Sequence, residues 1–390
     1  MGNMPKRALY FLAVILVTLL SLGVRLYAAQ RLDVDYDEPV YLSAAVSYAR
    51  SVRTGELKML AWNQDNFEHP VFYKILYGGV LLTQQPLDRL PDKDLPRLAP
   101  IASAAAGPWN VAARYLSVFW GTLAVLALAL LNPIAGLVLG VDTLSVKYTS
   151  EVYLEALPML GSLLAALAYG RWFAQVSDGN TAPRRHIHWL LLCAVFLGMT
   201  TASKYIYGIV ALPILIHCGV ALAQRRVPGR FTWYLACWAV LCLLMFFLFD
   251  PYLWPHPLGR LMKSIAFHES FQGSRLVQQY HYPFWQPLIW LSAFSVFYDL
   301  HPARAFLVNL DTIIFALAVI GLPALFRKAR LFFYWLITGL LFLLAWETKW
   351  PQYTLIILVP FSLSAAYGLS TLWDLCRKLI VRWGGQAAAA

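Results

Sequence analysis

The chain has 390 residues, of which 60% are hydrophobic and 13% are charged, and its formal net charge is +11. A soluble domain carries about 25% charged residues, so this composition excludes an ordinary soluble protein and indicates a polytopic membrane protein. Because the basic residues gather between apolar stretches, the positive charge indicates membrane orientation and contact with anionic lipids, and it excludes a nucleic-acid partner.

Ten apolar stretches approach the roughly 20 residues that a helix needs to cross a membrane. They lie near 8–28, 114–131, 133–149, 154–174, 187–202, 205–223, 231–249, 305–326, 331–346 and 352–374. The first stretch follows Lys6 and Arg7 and is too long for the apolar core of a signal peptide, so we predict a retained span.

The charges between these stretches predict the orientation of the chain. With the N-terminus in the cytoplasm, every large basic cluster lies on the inner side. These clusters are near 171–185, 225–230, 327–330 and 377–382. We therefore predict a multi-pass protein of the plasma (inner) membrane, with both termini in the cytoplasm.

The predicted domain organisation follows from the same spacing. A single transmembrane domain covers 1–374, with large outer loops at about 30–113 and 250–304. The remaining residues, 375–390, form a basic cytoplasmic tail that ends in the low-complexity run GGQAAAA, and we expect part of this tail to be disordered.

The first outer loop opens on the sequence DVDYDEPVYLSAA, which contains Asp33, Asp35, Asp37 and Glu38. Pro39 is typical of the first turn of a helix, and acidic residues before it suit the positive end of the helix dipole. The residues that follow predict a moderately amphipathic helix that is too short and polar to span, so we expect it along the membrane surface.

A second surface helix is predicted from the sequence NFEHPVFYKILYGGVLL. A His-Pro pair interrupts the backbone, and the apolar stretch after it places Tyr73, Lys74 and Tyr77 at headgroup depth. The first outer loop therefore consists of an acidic turn, a surface helix, a second acidic turn at Glu68 and a second surface helix.

The order of these features resembles that of the C-type glycosyltransferases, the GT-C superfamily. Asp37-Glu38 and Phe67-Glu68-His69-Pro70 are similar to the acidic pair and the Phe-Glu-Lys/His-Pro-Pro motif of the protein O-mannosyltransferase and aminoarabinose transferase group. The same group has later segments similar to RYLSVFWGTLAVLAL, SVKYTSEVYLEALPM, TASKYIYG and ETKWPQYTLIILVPFSLSAAYGL. The likeness covers most of the chain and is most specific in the first outer loop and the last span.

This resemblance implies an all-α membrane fold with about ten transmembrane helices and two interfacial helices in the first outer loop. It also implies an inverting glycosyltransferase that moves a sugar from a polyprenyl-phosphate donor to a hydroxyl of a protein, lipid or glycan acceptor on the extracytoplasmic face. Asp37 is then the general base that takes the acceptor proton, a role commonly filled by a carboxylate. An ordinary helix cap is the alternative for Asp37.

Glu38 and Glu68 complete the predicted catalytic set. Glu38 would orient Asp37 or its loop. Glu68 would position the acceptor or bind a metal, and an interfacial helix cap is the alternative for it. We expect Asp33 and Asp35 to face solvent.

The departing phosphate needs positive charge, so basic residues on the outer side are candidates to bind the donor. Lys349 is the first choice, because it precedes the last span in an aromatic setting, and snorkelling to lipid headgroups is the alternative. The other predicted substrate-binding residues are His69, Tyr73, Arg114, Lys204, Arg275 and Tyr353.

The second outer loop is rich in histidine, which leaves a divalent metal site as an open option. The candidate ligands are His256, His268, Glu269 and His281, although their spacing matches no compact zinc motif. The aromatic residues of the same loop form either an interfacial belt or a sugar-stacking surface.

Two other classes of function compete with the enzyme. Val71 stands where the family has its second proline, and the chain is short, so the alternative is a non-catalytic subunit or lipid-binding scaffold of a membrane complex. A secondary transporter is less consistent with the sequence, since transporters carry polar residues in mid-span and an internal repeat.

Overall fold

The computed structural model describes residues 6–62, 65–83, 108–177, 186–229, 231–297 and 310–387. The elements in these ranges are helices and turns, with no strand among them, so the predicted all-α class is confirmed. Parts of the predicted loops lie outside the described residues, namely 84–107, 178–185, which includes the basic pair Arg184 and Arg185, and 298–304.

The described helices are numbered here in chain order. They are α1 (Lys6–Arg31), α2 (Glu38–Arg53), α3 (Met59–Trp62), α4 (Phe72–Leu81), α5 (Pro108–Leu131), α6 (Pro133–Val141), α7 (Thr143–Tyr148), α8 (Ala156–Ser177), α9 (Ile187–Ser203), α10 (Ala211–Ala223), α11 (Phe231–Phe249), α12 (Pro257–Gln272), α13 (Arg275–Tyr280), α14 (Gln286–Phe297), α15 (Leu310–Lys328), α16 (Arg330–Ala345) and α17 (Leu355–Ala387). Short 3-10 helices precede α10, α12 and α17, at Tyr205–Val210, Pro251–Leu253 and Pro351–Thr354.

Within the described ranges, six helices are long and apolar enough to cross a membrane. They are α1, α5, α10 with the 3-10 turn before it, α11, α15, and α17 with the 3-10 turn before it. Helices α9 and α16 are apolar but shorter, with 17 and 16 residues. All eight coincide with predicted spans, which confirms a polytopic membrane architecture.

The third predicted span is a broken segment rather than one helix. Asp142 divides it into α6 and α7, which have 9 and 6 residues. The segment still runs along most of α1, because Tyr10 donates to the carbonyl of Leu130 before it (2.8 Å) and Arg25 donates to Thr149 after it (2.8 Å). The positions from Tyr10 to Arg25 correspond to about 22 Å of helix, so the segment covers most of a membrane crossing.

Helices α2 and α4 pack tightly against each other. Gly78 permits this approach, because a Cβ at that position would lie 2.8 Å from the carbonyl oxygen of Ala45. Tyr73, Lys74 and Tyr77 are 0% exposed, so these side chains pack inside the protein rather than against lipid headgroups. The physical reason is that α4 also contacts α5 and α9, which cover the face that was expected to meet lipid.

The last helix is fixed by close contact with α15. Gly321 and Gly368 leave the two backbones no room for a Cβ, and the Ser364 hydroxyl donates to the carbonyl of Ala318 at 2.6 Å. This contact positions the 3-10 turn at Pro351–Thr354, which carries two side chains of the candidate site. At its other end α17 continues as a helix through most of the predicted tail.

Candidate active site

The acids of the first turn occupy different environments. Asp33 is exposed, in line with its predicted solvent-facing position. Asp35 forms an ion pair with Lys147, whose side chain is buried in α7. The prediction that Asp35 faces solvent is therefore wrong, because a cation from a distant part of the chain draws its carboxylate inward.

Glu38 is held in the protein by an ion pair. Its carboxylate, in a side chain that is 1% exposed, accepts hydrogen bonds from Arg114 Nε and from the backbone amide of Val152, both at 2.8 Å. Arg114 also donates to the carbonyls of Ala29 and Leu32, at 3.0 and 2.7 Å. Glu38, predicted as catalytic, and Arg114, predicted to bind substrate, thus bond to each other and to the backbone. These contacts support a role for both residues in anchoring the acidic turn.

Asp37 lies immediately before α2, but its side chain makes no capping hydrogen bond. The side-chain amide of Gln352 donates to its carboxylate at 3.4 Å. Burial raises the pKa of Asp37 to about 7, and the charges of Asp35 and Glu155 add to this effect while Lys204 opposes it. A carboxyl with a pKa near neutrality has the property that a general base needs. The alternative of an ordinary helix cap has no support in this geometry.

A buried ion pair of Lys204 and Glu155 lies close enough to Asp37 to influence the pKa of its carboxyl. Lys204 is 2% exposed, and its ammonium lies 5.2 Å from the ring centre of Tyr353. Oε2 of Glu155 has no hydrogen-bond partner among the described residues. Two predicted substrate-binding residues, Lys204 and Tyr353, are therefore brought together beside the candidate base.

Glu68 lies in a tight turn before α4. Asn66 in this turn has a positive φ of 53° and donates from its side-chain amide to Glu68 at 2.6 Å. Lys74 of α4 donates to the carbonyls of Asn66 and His69, at 2.8 and 2.9 Å. Burial lowers the pKa of Lys74 to about 8. The lysine thus stabilises the left-handed residue of the turn and ties the turn to α4.

Helix α12 of the second outer loop contacts the same turn. Ser264 donates to the carbonyl of Phe67 at 2.8 Å, and Nε2 of His268 lies 3.0 Å from the carbonyl oxygen of Glu68. The rings of His69 and His268 are 5.4 Å apart. Burial and then the nearby cations hold the pKa of His69 well below its usual range, so its imidazole is neutral at pH 7. His69 can therefore offer hydrogen bonds to a substrate but not a charge.

Three predicted substrate-binding residues show no contact with Asp37 or Lys204 in the part of the chain that the structure describes. Lys349 donates to the carbonyls of Leu343 and Leu344, at 3.1 and 3.0 Å, and thereby caps the C-terminal end of α16. Tyr73 is buried with its ring stacked on another tyrosine of α4. Arg275 is exposed at the first position of α13. The contact of Lys349 with the donor phosphate stays a prediction.

The predicted metal ligands are not brought together. His256 immediately precedes the 16-residue helix α12 and His268 lies near its other end, while Glu269 and His281 are exposed. Across the described ranges, no three His, Cys, Asp or Glu side chains are arranged to hold a metal ion. The four-residue site is therefore wrong, because helical spacing separates its members.

Three residues that shape the site escaped the candidate set drawn from the sequence, namely Lys147, Glu155 and Gln352. The first two lie within predicted spans, and an ionisable residue inside a span is a signal of function that could have selected them. Gln352 carries no such signal, because its role depends on the turn that places it opposite Asp37.

Comparison with known proteins agrees with this architecture. No family model and no curated protein matches the sequence. The structure is similar to that of ArnT from Cupriavidus metallidurans bound to undecaprenyl phosphate, with a TM-score of 0.59 and 16% sequence identity. The chain has the GT-C fold. The match covers 94% of this chain and 61% of that ArnT chain.

The GT-C fold is also shared with the oligosaccharyltransferase of Archaeoglobus fulgidus. Its apo form matches with a TM-score of 0.55 at 14% identity, and the match covers 96% of this chain and 52% of that one. AglB from the same organism, in complex with an inhibitory peptide and a dolichol-phosphate, matches with a TM-score of 0.54. This chain thus spans between about half and three fifths of the length of these proteins. The likeness confirms the fold that the sequence motifs implied.

Proposed function

We propose that the protein is an integral membrane glycosyltransferase that takes a sugar from a polyprenyl-phosphate donor and transfers it to an acceptor hydroxyl on the extracytoplasmic face. Proteins of the same fold have been captured with undecaprenyl phosphate or a dolichol-phosphate, which supports a lipid phosphate as donor and product. The acceptor is a hydroxyl of a protein, lipid or glycan.

The observation that carries the proposal is the state of Asp37. Its carboxyl lies next to the anchored Glu38, makes no capping hydrogen bond to α2, and has a pKa raised to about 7 by burial and then by neighbouring acids. The other carboxylates of the same turn are exposed or paired with cations. Asp37 is therefore the acid of this turn that suits proton abstraction near neutral pH.

The reaction we propose is a single displacement. Asp37 takes the proton of the acceptor hydroxyl as its oxygen attacks the anomeric carbon of the sugar. The bond from that carbon to the phosphate oxygen breaks on the opposite side, which inverts the anomeric centre and releases polyprenyl phosphate. Lys204 supplies positive charge for the departing phosphate, and its ion pair with Glu155 holds the ammonium in place. Burial of this pair strengthens the electrostatic effect.

The proposed orientation follows from the charges at the ends of the spans. Arg327 and Lys328 end α15, and Arg225 and Arg226 follow α10. Basic residues favour the cytoplasmic side, so the ends that carry these four residues face the cytoplasm and Asp37 faces outward. We accordingly propose a multi-pass protein of the plasma membrane with cytoplasmic termini.

The direct test is a transfer assay with the purified full chain in nanodiscs and a panel of synthetic polyprenyl-phospho-sugars. We expect transfer by the wild type, and a loss of about 100-fold or more in Asp37→Asn, as for removal of a general base. Asp33→Asn is the matched control, because this acid of the same turn is exposed. Equal transfer by both variants would show that Asp37 is not the base.

The same assay separates the enzyme from the alternative scaffold. A non-catalytic GT-C subunit would bind polyprenyl phosphate and co-purify in a membrane complex, but it would transfer no sugar from any donor of the panel. That result would overturn the proposed activity while leaving the fold unchanged.

A further inference from the structure

We propose that Lys147 is a positioning residue for Asp37, because it holds the Asp35 carboxylate beside the candidate base and compensates the charge of that neighbour. Its catalytic consequence rests on the proposed function, whereas its effect on Asp37 can be measured without turnover.

Lys147 is buried between two carboxylates. It is 2% exposed, forms an ion pair with Asp35, and donates to both carboxylate oxygens of Glu151 at 2.9 Å. The rings of Tyr148 and Tyr153 also lie near its ammonium, with centres at 4.7 and 6.0 Å. A buried ammonium in this setting has a fixed position, since each departure would leave a carboxylate without its partner.

The position of Lys147 is set by contacts of its neighbours with α1 and by the cap of α7. Arg25 of α1, which is 0% exposed, donates to the hydroxyls of Ser145 and Thr149, at 2.7 and 2.8 Å, on either side of Lys147. The carboxylate of Asp142 caps α7 by accepting from the backbone amide of Ser145 at 2.9 Å. The break in the third predicted span therefore has a consequence for the site, because it turns α7 so that its lysine meets the acidic turn.

The acidic turn connects Asp35, which Lys147 holds, to Asp37 two residues later. The backbone amide of Asp35 donates to Glu38 at 3.0 Å, so the turn is held on both sides of Asp37. Burial alone would raise the pKa of Asp35, but the charge and hydrogen bond of Lys147 outweigh burial and lower it. Asp35 is therefore ionised at neutral pH and acts as a constant negative neighbour of Asp37.

Other groups also face Asp37 and must be held constant in a test. They are Glu68 from the second acidic turn, Glu155 before α8, Lys204 after α9, Tyr41 of α2, Tyr153, and Gln352 and Tyr353 of the last turn. None of these residues is changed in the variants below, so differences in the titration of Asp37 report the Lys147–Asp35 pair.

The test is an infrared titration of the full chain in nanodiscs, in which the carboxyl stretch of Asp37 is identified by its loss in Asp37→Asn. In Lys147→Met we expect the midpoint to rise by roughly one pH unit, because Asp35 and Asp37 then titrate as a coupled pair of carboxyls with no compensating cation. In Asp35→Asn we expect the midpoint to fall. Lys147 keeps Glu151 as a partner in this variant, so the risk of misfolding is smaller than in Lys147→Met. In Asp35→Asn with Lys147→Met we expect a midpoint near the wild-type value, and Lys147→Arg keeps the wild-type midpoint.

The acidic limb of the pH dependence of kcat should move with these midpoints, while the KM for the donor changes little. If the midpoints shift in the variants as expected but the wild type transfers no sugar, the proposed function is overturned and this inference stands. A midpoint that stays constant in both Lys147→Met and Asp35→Asn would overturn the inference. A loss of activity that is equal at every pH, with no shift of the midpoint, would also overturn it and indicate a merely structural role for Lys147.

Discussion

The first outer loop contains two acidic turns that are held in different ways. The turn around Asp37 is held by ion pairs to Arg114 and Lys147, which are far away in sequence. The turn around Glu68 is held by hydrogen bonds to its backbone, mainly from Lys74 in the adjacent helix. The first turn therefore depends on buried ion pairs between side chains, whereas the second depends on hydrogen bonds from one lysine to backbone carbonyls. Charge removal should therefore damage the first turn more than the second.

The largest effect is expected for Arg114→Met, which leaves Glu38 buried without its cation. Breaking a buried ion pair costs about 3–5 kcal/mol of unfolding free energy, so the thermal midpoint in detergent should fall strongly. The double variant Glu38→Gln with Arg114→Met should recover part of this loss. Arg31→Met is the control, because Arg31 is exposed at the end of α1. Equal stability of Arg114→Met and the control would contradict a charge-held turn.

The second largest effect is expected for Lys204→Met, as a loss of activity. Loss of one preorganised electrostatic contact typically lowers kcat by about 100- to 1000-fold, and we expect this range because Lys204 lies beside Asp37. Lys349→Met serves as the comparison, since its ammonium is used to cap α16 and its effect should be on stability. The kinetic constants of the two variants check the assignment, which fails if Lys349→Met loses kcat and Lys204→Met does not.

A smaller effect is expected for Lys74→Met in the second turn. Two backbone carbonyls lose a buried donor, which costs about 1–3 kcal/mol in unfolding free energy. Its thermal midpoint should lie between those of Arg114→Met and Lys58→Met, a control at an exposed lysine. The contrast between the turns would disappear if Lys74→Met were as destabilising as Arg114→Met.

The smallest effect is expected for Ser264→Ala in α12. It removes one hydrogen bond to the carbonyl of Phe67, and a single bond of this kind contributes about 1 kcal/mol. Ser270→Ala removes a local bond on the exposed side of the same helix and should be close to neutral. Hydrogen exchange of the residues around Glu68 would check whether α12 restrains the second turn.

Most of the fold could be predicted from the sequence, because apolar stretches of span length and basic inner loops leave few arrangements for a membrane protein. The break at Asp142 was not predicted, since hydropathy alone does not reveal that Arg25 and Asp142 hold two short helices on either side of an extended residue. The burial of α4 was also not predicted, because an apolar, aromatic helix has the same residue pattern whether its face contacts lipid or protein.

The candidate site was predictable in part. Asp37, Lys204 and Tyr353 are near one another in the structure, and the motifs of the first loop, the segment TASKYIYG and the last span pointed to them. The partners of Lys349 and Lys147 could not be predicted, because a lysine pairs with phosphate, carbonyl or carboxylate according to contacts made between distant segments.

In the reaction that we propose, Asp37 acts as a base with a raised pKa. Burial and neighbouring acids raise this pKa to about 7, so the carboxyl is protonated and inactive below that pH and ionised above it. The most direct measurement is therefore the pH dependence of kcat for sugar transfer by the full chain in nanodiscs. We expect an acidic limb with a midpoint near pH 7 in the wild type that is absent from the residual activity of Asp37→Asn. A kcat that stays constant from pH 7 down to pH 5 would contradict it.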